Sequence, residues 1–256
     1  MTPYYEADGI TIYHGDAFAV LESLAADSVN AVVMDPPYAS GVRAEAHKTT
    51  SGAMVRGVKW RQKPIENDQM TTAGFIWMMR EVAFEAQRVL VDGGSVLSFI
   101  DWRNWPNLLG AIESTNLRVN QMVVWNKVMY AMGRGYRAQH ELVLWASKGP
   151  ATVVDHSVGN VLSHKRIPND DHPAAKPVGI MTDLLRVPTT IADLVLDPFM
   201  GSGTTGAAAV IEGRKFIGVE MVEHYAEVAK RRILTALGER TEREEQDVLD
   251  FGGGAA

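Results

Sequence analysis

The sequence predicts an α/β fold, a mostly parallel sheet covered by helices on both faces, and three observations carry that prediction. Short apolar runs alternate with segments of helical spacing along most of the chain. Several of these runs end in an acid, at Asp16, Asp35, Asp101, Asp197 and Glu220. A glycine-rich turn, "GSGTTGAAAV", follows one run directly and opens a helix. A chain of 256 residues without internal repeat or evident linker is most simply one large domain with loop insertions.

In chain order, "GITIYHGD" alternates and reads as a strand ending at Asp16, followed by a helix from about Ala17 to Ala25. A buried strand beginning near Ala31 runs into Asp35. The segment "TAGFIWMMREVAFEAQRVLVDGG" has helical spacing and is expected to stop at the Gly93-Gly94 pair. "SVLSFID" is a strand, and a helix spans about Trp105 to Glu113. "QMVVWNK" and "HELVLWASK" are two strands joined by "VMYAMGRGYRAQ", which suits an antiparallel edge hairpin. "LVLDPF", the helix opening at the glycine turn, and the strand "KFIGVE" follow. A last helix is expected from about His224 to Leu237, with an acidic, glycine-ended tail fraying from Glu239.

Composition narrows the function classes. There is no cysteine, which excludes disulfides and thiolate metal sites and suits a reducing cytoplasm. No histidine cluster has metal-ligand spacing. The N-terminus lacks the apolar core of a signal peptide, and no stretch approaches the roughly 18 apolar residues of a membrane span. A net charge of −6 argues against a polyanionic partner, but it hides a local asymmetry. Between Ala39 and Lys63 lie Arg43, Lys48, Arg56, Lys59, Arg61 and Lys63, with Trp60 among them, against Glu45 alone. Such a segment suits contact with phosphates, with Trp60 stacking or wedging, and Arg134 and Arg137 in "GRGYRAQ" offer a second set.

Two motifs carry chemistry. In "VVMDPPYASG", Asp35 ends a strand, and Pro36 and Pro37 fix two φ angles and remove two backbone donors, so the turn before Tyr38 is stiff. In "LVLDPFMGSGTTGAAAV", Gly201, Gly203 and Gly206 match G-x-G-x-x-G, and Glu220 ends the next strand 19 residues after Gly201. That pattern suggests a nucleoside cofactor, with the acid on ribose hydroxyls and the helix N-terminus near an anionic group. Asp197 before the turn would repel a pyrophosphate, which counts against NAD, and no lysine follows the glycines as an ATP loop requires. A carboxylate there suits the ammonium and sulfonium of S-adenosylmethionine.

"DPPY" together with "LDPFMGSGTTGAAA" and "FIGVE" resembles the amino-methylating DNA methyltransferases, and the order of the motifs resembles that family's β group. "VVWNKVMYAMGRGYRAQHELVLWASKG" and "HPAAKPVGIMTDLL" are similar to two further regions of these enzymes, so the resemblance covers most of residues 10–237. It implies a single-domain Rossmann-like methyltransferase fold over residues 1–238, with a mostly parallel seven-stranded sheet and an antiparallel edge hairpin. Residues 39–71 would be a basic loop insertion and 151–171 a short target-recognition segment, much shorter than is usual. Asp35, Pro36, Pro37 and Tyr38 would be catalytic, clamping a flipped base. Asp16 and Ala17 would meet the cofactor adenine, although Asp16 equally suits a cap on the helix that follows it. Glu220 would hold the ribose. Lys176, Asp197, Phe199, Gly201, Ser202, Gly203, Thr204 and Thr205 would surround the remainder, with Lys176 near the cofactor carboxylate. The implied reaction is methylation of adenine N6 in duplex DNA, since an aspartate opening the clamp is typical of adenine enzymes. Cytosine N4 is the alternative, and an inactive DNA-binding protein of the same fold is an answer of another class. A homodimer is a further expectation of the resemblance. The target sequence and the biological setting (restriction partner, solitary regulator or phage defence) stay open.

Overall fold

The computed structural model describes residues 1–37, 70–131, 135–166 and 176–252, with side chains as far as residue 246. Its strands are β1 (Tyr5–Ala7), β2 (Ile10–His14), β3 (Val29–Met34), β4 (Leu90–Ile100), β5 (Leu117–Asn126), β6 (His140–Lys148), β7 (Val161–Ser163), β8 (Leu194–Asp197) and β9 (Lys215–Glu220). The helices are α1 (Ala17–Ser23), α2 (Thr72–Val89), α3 (Trp105–Glu113), α4 (Val178–Arg186), α5 (Thr204–Ile211) and α6 (Glu223–Gly252). Among the described residues the strands form one nine-stranded sheet in the order β1-β2-β9-β8-β3-β4-β6-β5-β7. The five strands from β2 to β4 are parallel, and β6 runs antiparallel to both β4 and β5.

Strand alternation divides the core into two layers. Val33, Leu97, Phe99, Val143 and Val195 point to the face covered by α4, α5 and α6. Val32, Met34, Val96, Ile100, Leu144 and Leu196 point to the opposite face, against Phe75, Met79 and Val82 of α2 and Leu108 and Ile112 of α3. Each such side chain, fully buried, contributes roughly 1.5–3 kcal/mol. Because both faces of β3 and β8 are covered, their sequences read as continuous apolar runs.

The sheet has nine strands where seven are expected, because three-residue strands extend it at both edges. β1 pairs with β2, and β7 lies parallel to β5, so the β5–β6 hairpin is one strand in from the edge. The Gly93-Gly94 pair does not end α2. The helix stops at Val89, Leu90 turns extended to face Val29, and residues 91–94 bulge before the β3–β4 register resumes at Ser95. Gly93 sits at φ +80°, and a Cβ there would lie 2.4 Å from Thr152 Oγ1. The final helix continues to Gly252 rather than ending near Leu237. "ERTEREEQDVL" is rich in helix formers, and the Arg240–Glu244 pair at 2.6 Å supports the solvated extension. No described helix is long and apolar enough to cross a membrane.

Candidate functional site

The strand order reverses between β8 and β3: β8 leads through α5 to β9 on one side, and β3 leads to β4 on the other. Ligands of open α/β sheets bind at the carboxyl end of such a switch point. Here β3 and β8 pair directly, Val32 beside Leu196, so Asp35 and Asp197 leave adjacent parallel strands in the same direction. Beyond β8, Glu220 ends β9 and pairs with His14 of β2, just before Asp16. Residues far apart in sequence therefore bring four carboxylates to one end of the sheet.

Three of the four carboxylates are held by local backbone. Asp16 caps α1, its Oδ1 accepting from Phe18 N at 3.0 Å and Ala19 N at 3.2 Å, and Ala17 is buried behind it. Glu220 accepts from Gly201 N at 3.0 Å and Val222 N at 2.9 Å, which ties the glycine turn to the end of β9. Asp197 is 3% exposed and accepts from Phe199 N at 3.0 Å and from the Thr205 hydroxyl. Burial pushes the Asp197 carboxyl up to about 7, with Asp35 and Glu220 adding to the shift. Burial also raises Glu220, against the opposing pull of its backbone donors.

The glycine turn has two duties. Gly201, at φ +52°, presents its N–H to Glu220. Gly203 and Gly206 instead let α5 approach its neighbours, since a Cβ would lie 2.8 Å from Ala229 Cβ at the first and 2.4 Å from Ile233 Cδ1 at the second. Ser202 and Thr204 are buried, and their hydroxyls accept from Arg232 of α6 at 3.4 and 2.8 Å.

Asp35 is half-buried, Pro36 is buried behind it, and the Asp35 Oδ2 accepts from Lys176. The sequence suggests a cofactor contact for Lys176, but its recorded partners are Asp35 and Glu141 Oε2, the latter at 3.3 Å. Glu141 also accepts from Lys127 at 2.5 Å. Burial would lower the Lys176 ammonium, yet Asp35 and Glu141 outweigh it and hold it above its usual range. Burial would likewise raise Glu141, but Lys176 and Lys127 pull it below the usual carboxylate range. Sequence reading misses Glu141 and Lys127. The available signal was an acid at the head of the apolar run "LVLW", at the start of a buried strand, a costly placement unless a cation meets it.

Arg137 is exposed, its guanidinium 3.5 Å from the centroid of Tyr130 on the β5–β6 connection. Tyr38, Arg43, Lys48, Arg56, Lys59, Trp60, Arg61, Lys63 and Arg134 lie outside the described residues. A hollow lined by Val123, Trp145, Leu162 and Leu184 contains none of the predicted site residues. Among the described residues no group of three or more acids and histidines could hold a metal ion.

The model of the DNA methylase family that unites the N6 and N4 enzymes matches residues 29–231, from the start of β3 into α6. The chain belongs to that DNA methylase family. The methylase is 27% identical to the DNA adenine methyltransferase YhdJ of Escherichia coli, over 87% of this chain and 82% of that one. The M1.HpyAVI–SAM complex superposes with a TM-score of 0.64 and 25% identity, covering 88% of the methylase and 99% of that chain. The cytosine-N4-specific PvuII DNA methyltransferase shares the fold, with a TM-score of 0.71 and 19% identity over 93% and 94% of the two chains.

Proposed function

We propose that the methylase transfers a methyl group from S-adenosylmethionine to the exocyclic N6 amine of an adenine flipped out of duplex DNA. The observation that carries this reading is the meeting at the switch point of Asp35-Pro36-Pro37 and Asp197, which leave neighbouring parallel strands at the same end of the sheet. The cofactor fits the residues present. Asp197 is buried, and its stabilising partners among the described residues are a hydroxyl and a backbone N–H rather than a cation, a setting that a cationic ligand would complete. Glu220, its carboxylate fixed by two backbone donors, suits ribose hydroxyls, and Asp16 beside it suits the adenine. Phe199, the turn from Gly201 to Thr205 and the N-terminus of α5 complete the enclosure.

S-adenosylmethionine, when bound, supplies an electrophilic methyl on a sulfonium. The protein's task is to make an aryl amine nucleophilic, because the lone pair of that amine is conjugated into its ring. The Asp35 carboxylate and the Pro36 carbonyl each accept one N–H, which draws the nitrogen toward tetrahedral geometry and aims its lone pair. Two consecutive prolines hold those acceptors still, and positioning of this kind supplies much of the rate. Tyr38, next in the chain, stacks on the flipped base in this account, worth roughly 1–3 kcal/mol. Likeness to an adenine methyltransferase supports adenine over cytosine N4.

The two halves of the site separate in a pair of variants. Asp35→Ala is expected to reduce transfer by roughly a hundredfold or more while leaving the cofactor Kd nearly unchanged. Glu220→Ala is expected to weaken the cofactor Kd about tenfold, the loss of a charged hydrogen-bond acceptor. Calorimetry and single-turnover methylation measure both, and wild-type turnover by Asp35→Ala would refute the clamp.

A further inference from the structure

We infer that Lys176 is a positioning residue for methyl transfer, holding the Asp35 carboxylate from one side while Glu141 holds the lysine from the other. The inference rests on the reading of Asp35 given above. Lys176 reaches Asp35 across 141 residues of sequence, from the segment that leads into α4. It is 8% exposed and lies 5.1 Å over the ring of Phe99, in the core of the α4 face. Its counterpart Glu141 arrives at the same end of the sheet because β6 runs antiparallel to β4, with Leu142 opposite Ile100. Lys127 closes the row just beyond the end of β5, 5.1 Å over the ring of Trp125.

The row Asp35, Lys176, Glu141, Lys127 alternates in sign. A buried ammonium is costly, and two carboxylates on it make the placement tenable. A carboxylate tethered through Oδ2 also has its plane fixed, so the direction in which Oδ1 accepts is fixed with it. That direction matters to a clamp on an amine, whereas a lysine serving only the cofactor would have no need of Glu141. Among the described residues, Asp197 stands beside Asp35 at the ends of β3 and β8, Asp35 and Glu141 face Lys176, and Lys127 and Lys176 face Glu141.

The test uses the full chain with S-adenosylmethionine and unmethylated duplex DNA. Lys176→Met should lower kcat by roughly a hundredfold, the cost of a displaced catalytic group. The loss should fall on kcat rather than on the cofactor Kd, because the tethered Asp35 carboxylate loses its fixed plane. The cofactor Kd should hardly change, and Lys176→Arg should restore most of the rate. Glu141→Gln, which keeps the ammonium but loosens it, should lower kcat at an unchanged cofactor Kd. A Lys176→Met variant with wild-type kcat would overturn the inference, as would a loss that Lys176→Arg does not rescue or one that appears only as a weakened cofactor Kd. Should Lys176→Met fail to fold, full wild-type rate in Glu141→Gln overturns it and a reduced rate at unchanged cofactor Kd supports it. A wild-type chain that binds the cofactor but methylates no DNA would instead sink the proposed function, and this inference with it.

Discussion

Asp197 is a carboxylate whose ionisation the fold opposes, and the consequence is a pH dependence of defined sign. With its carboxyl pushed up to about 7 by burial, the folded protein holds this proton more tightly than the unfolded chain does. Its contribution to stability is therefore fully present below the ordinary aspartate range and is lost as pH rises through about 7. Cofactor binding has the opposite dependence, because a ligand bearing positive charge favours the ionised form and expels the proton. The cofactor Kd is expected to tighten as pH rises from about 5.5 to 8, with proton release visible as a buffer-dependent binding enthalpy. Asp197→Asn should flatten that profile, and a pH-independent Kd in the wild type would contradict the assignment. At this scale the sequence discloses Asp16, Asp35, Asp197 and Glu220, since each acid ends an apolar run. It does not disclose the Lys176–Asp35–Glu141 pairing, which depends on tertiary geometry between distant segments. Nor does it disclose that Ser202 and Thr204 turn their hydroxyls toward Arg232, because that contact belongs to the docking of α6.

The element that most constrains the site is α5, whose residues from Thr204 to Val210 are all buried. A short helix of small residues is what permits simultaneous contact with α4, α6 and the sheet, and it carries the turn to the end of β9. Gly203 caps it in the left-handed region at φ +78°, where a Cβ would lie 2.9 Å from the Ala229 Cα. Gly203→Ala combines backbone strain with overpacking against a neighbouring backbone. It is expected to cost about 2–5 kcal/mol and to lower the melting temperature by several degrees, measured by calorimetry. A melting temperature within a degree of wild type would show that α5 and α6 give way easily. The G-x-G-x-x-G spacing was thus legible as a strand–turn–helix, but two of its glycines answer to helix packing. The long elements were legible for the same physical reason throughout: α2, α3, β5, β6 and β9 each have a clear period. The three-residue strands β1 and β7 have too few residues to show one. The bulge at residues 91–94 misleads because its glycines imitate a helix stop.

Across the whole molecule, two motifs far apart in the chain come together at one end of the sheet. The clamp sequence comes first and lies on β3, the cofactor sequence comes last and lies on β8, and parallel pairing makes them neighbours. Two helical layers hold that pairing from both sides, so the juxtaposition of Asp35 and Asp197 is a property of the packed sheet rather than of any one loop. With an acidic chain, the proposed function requires local basic groups for duplex contact, and Arg137 stands exposed on the β5–β6 connection. In the proposed function this end of the sheet moves a methyl group to an amine of a DNA base. That transfer is tested most directly by incubating the chain with methyl-labelled S-adenosylmethionine and unmethylated duplex DNA, then digesting to nucleosides and weighing them by mass spectrometry. The account predicts label in N6-methyladenosine. Label in N4-methylcytosine would keep the clamp and change the base, and no label in any nucleoside would contradict the account.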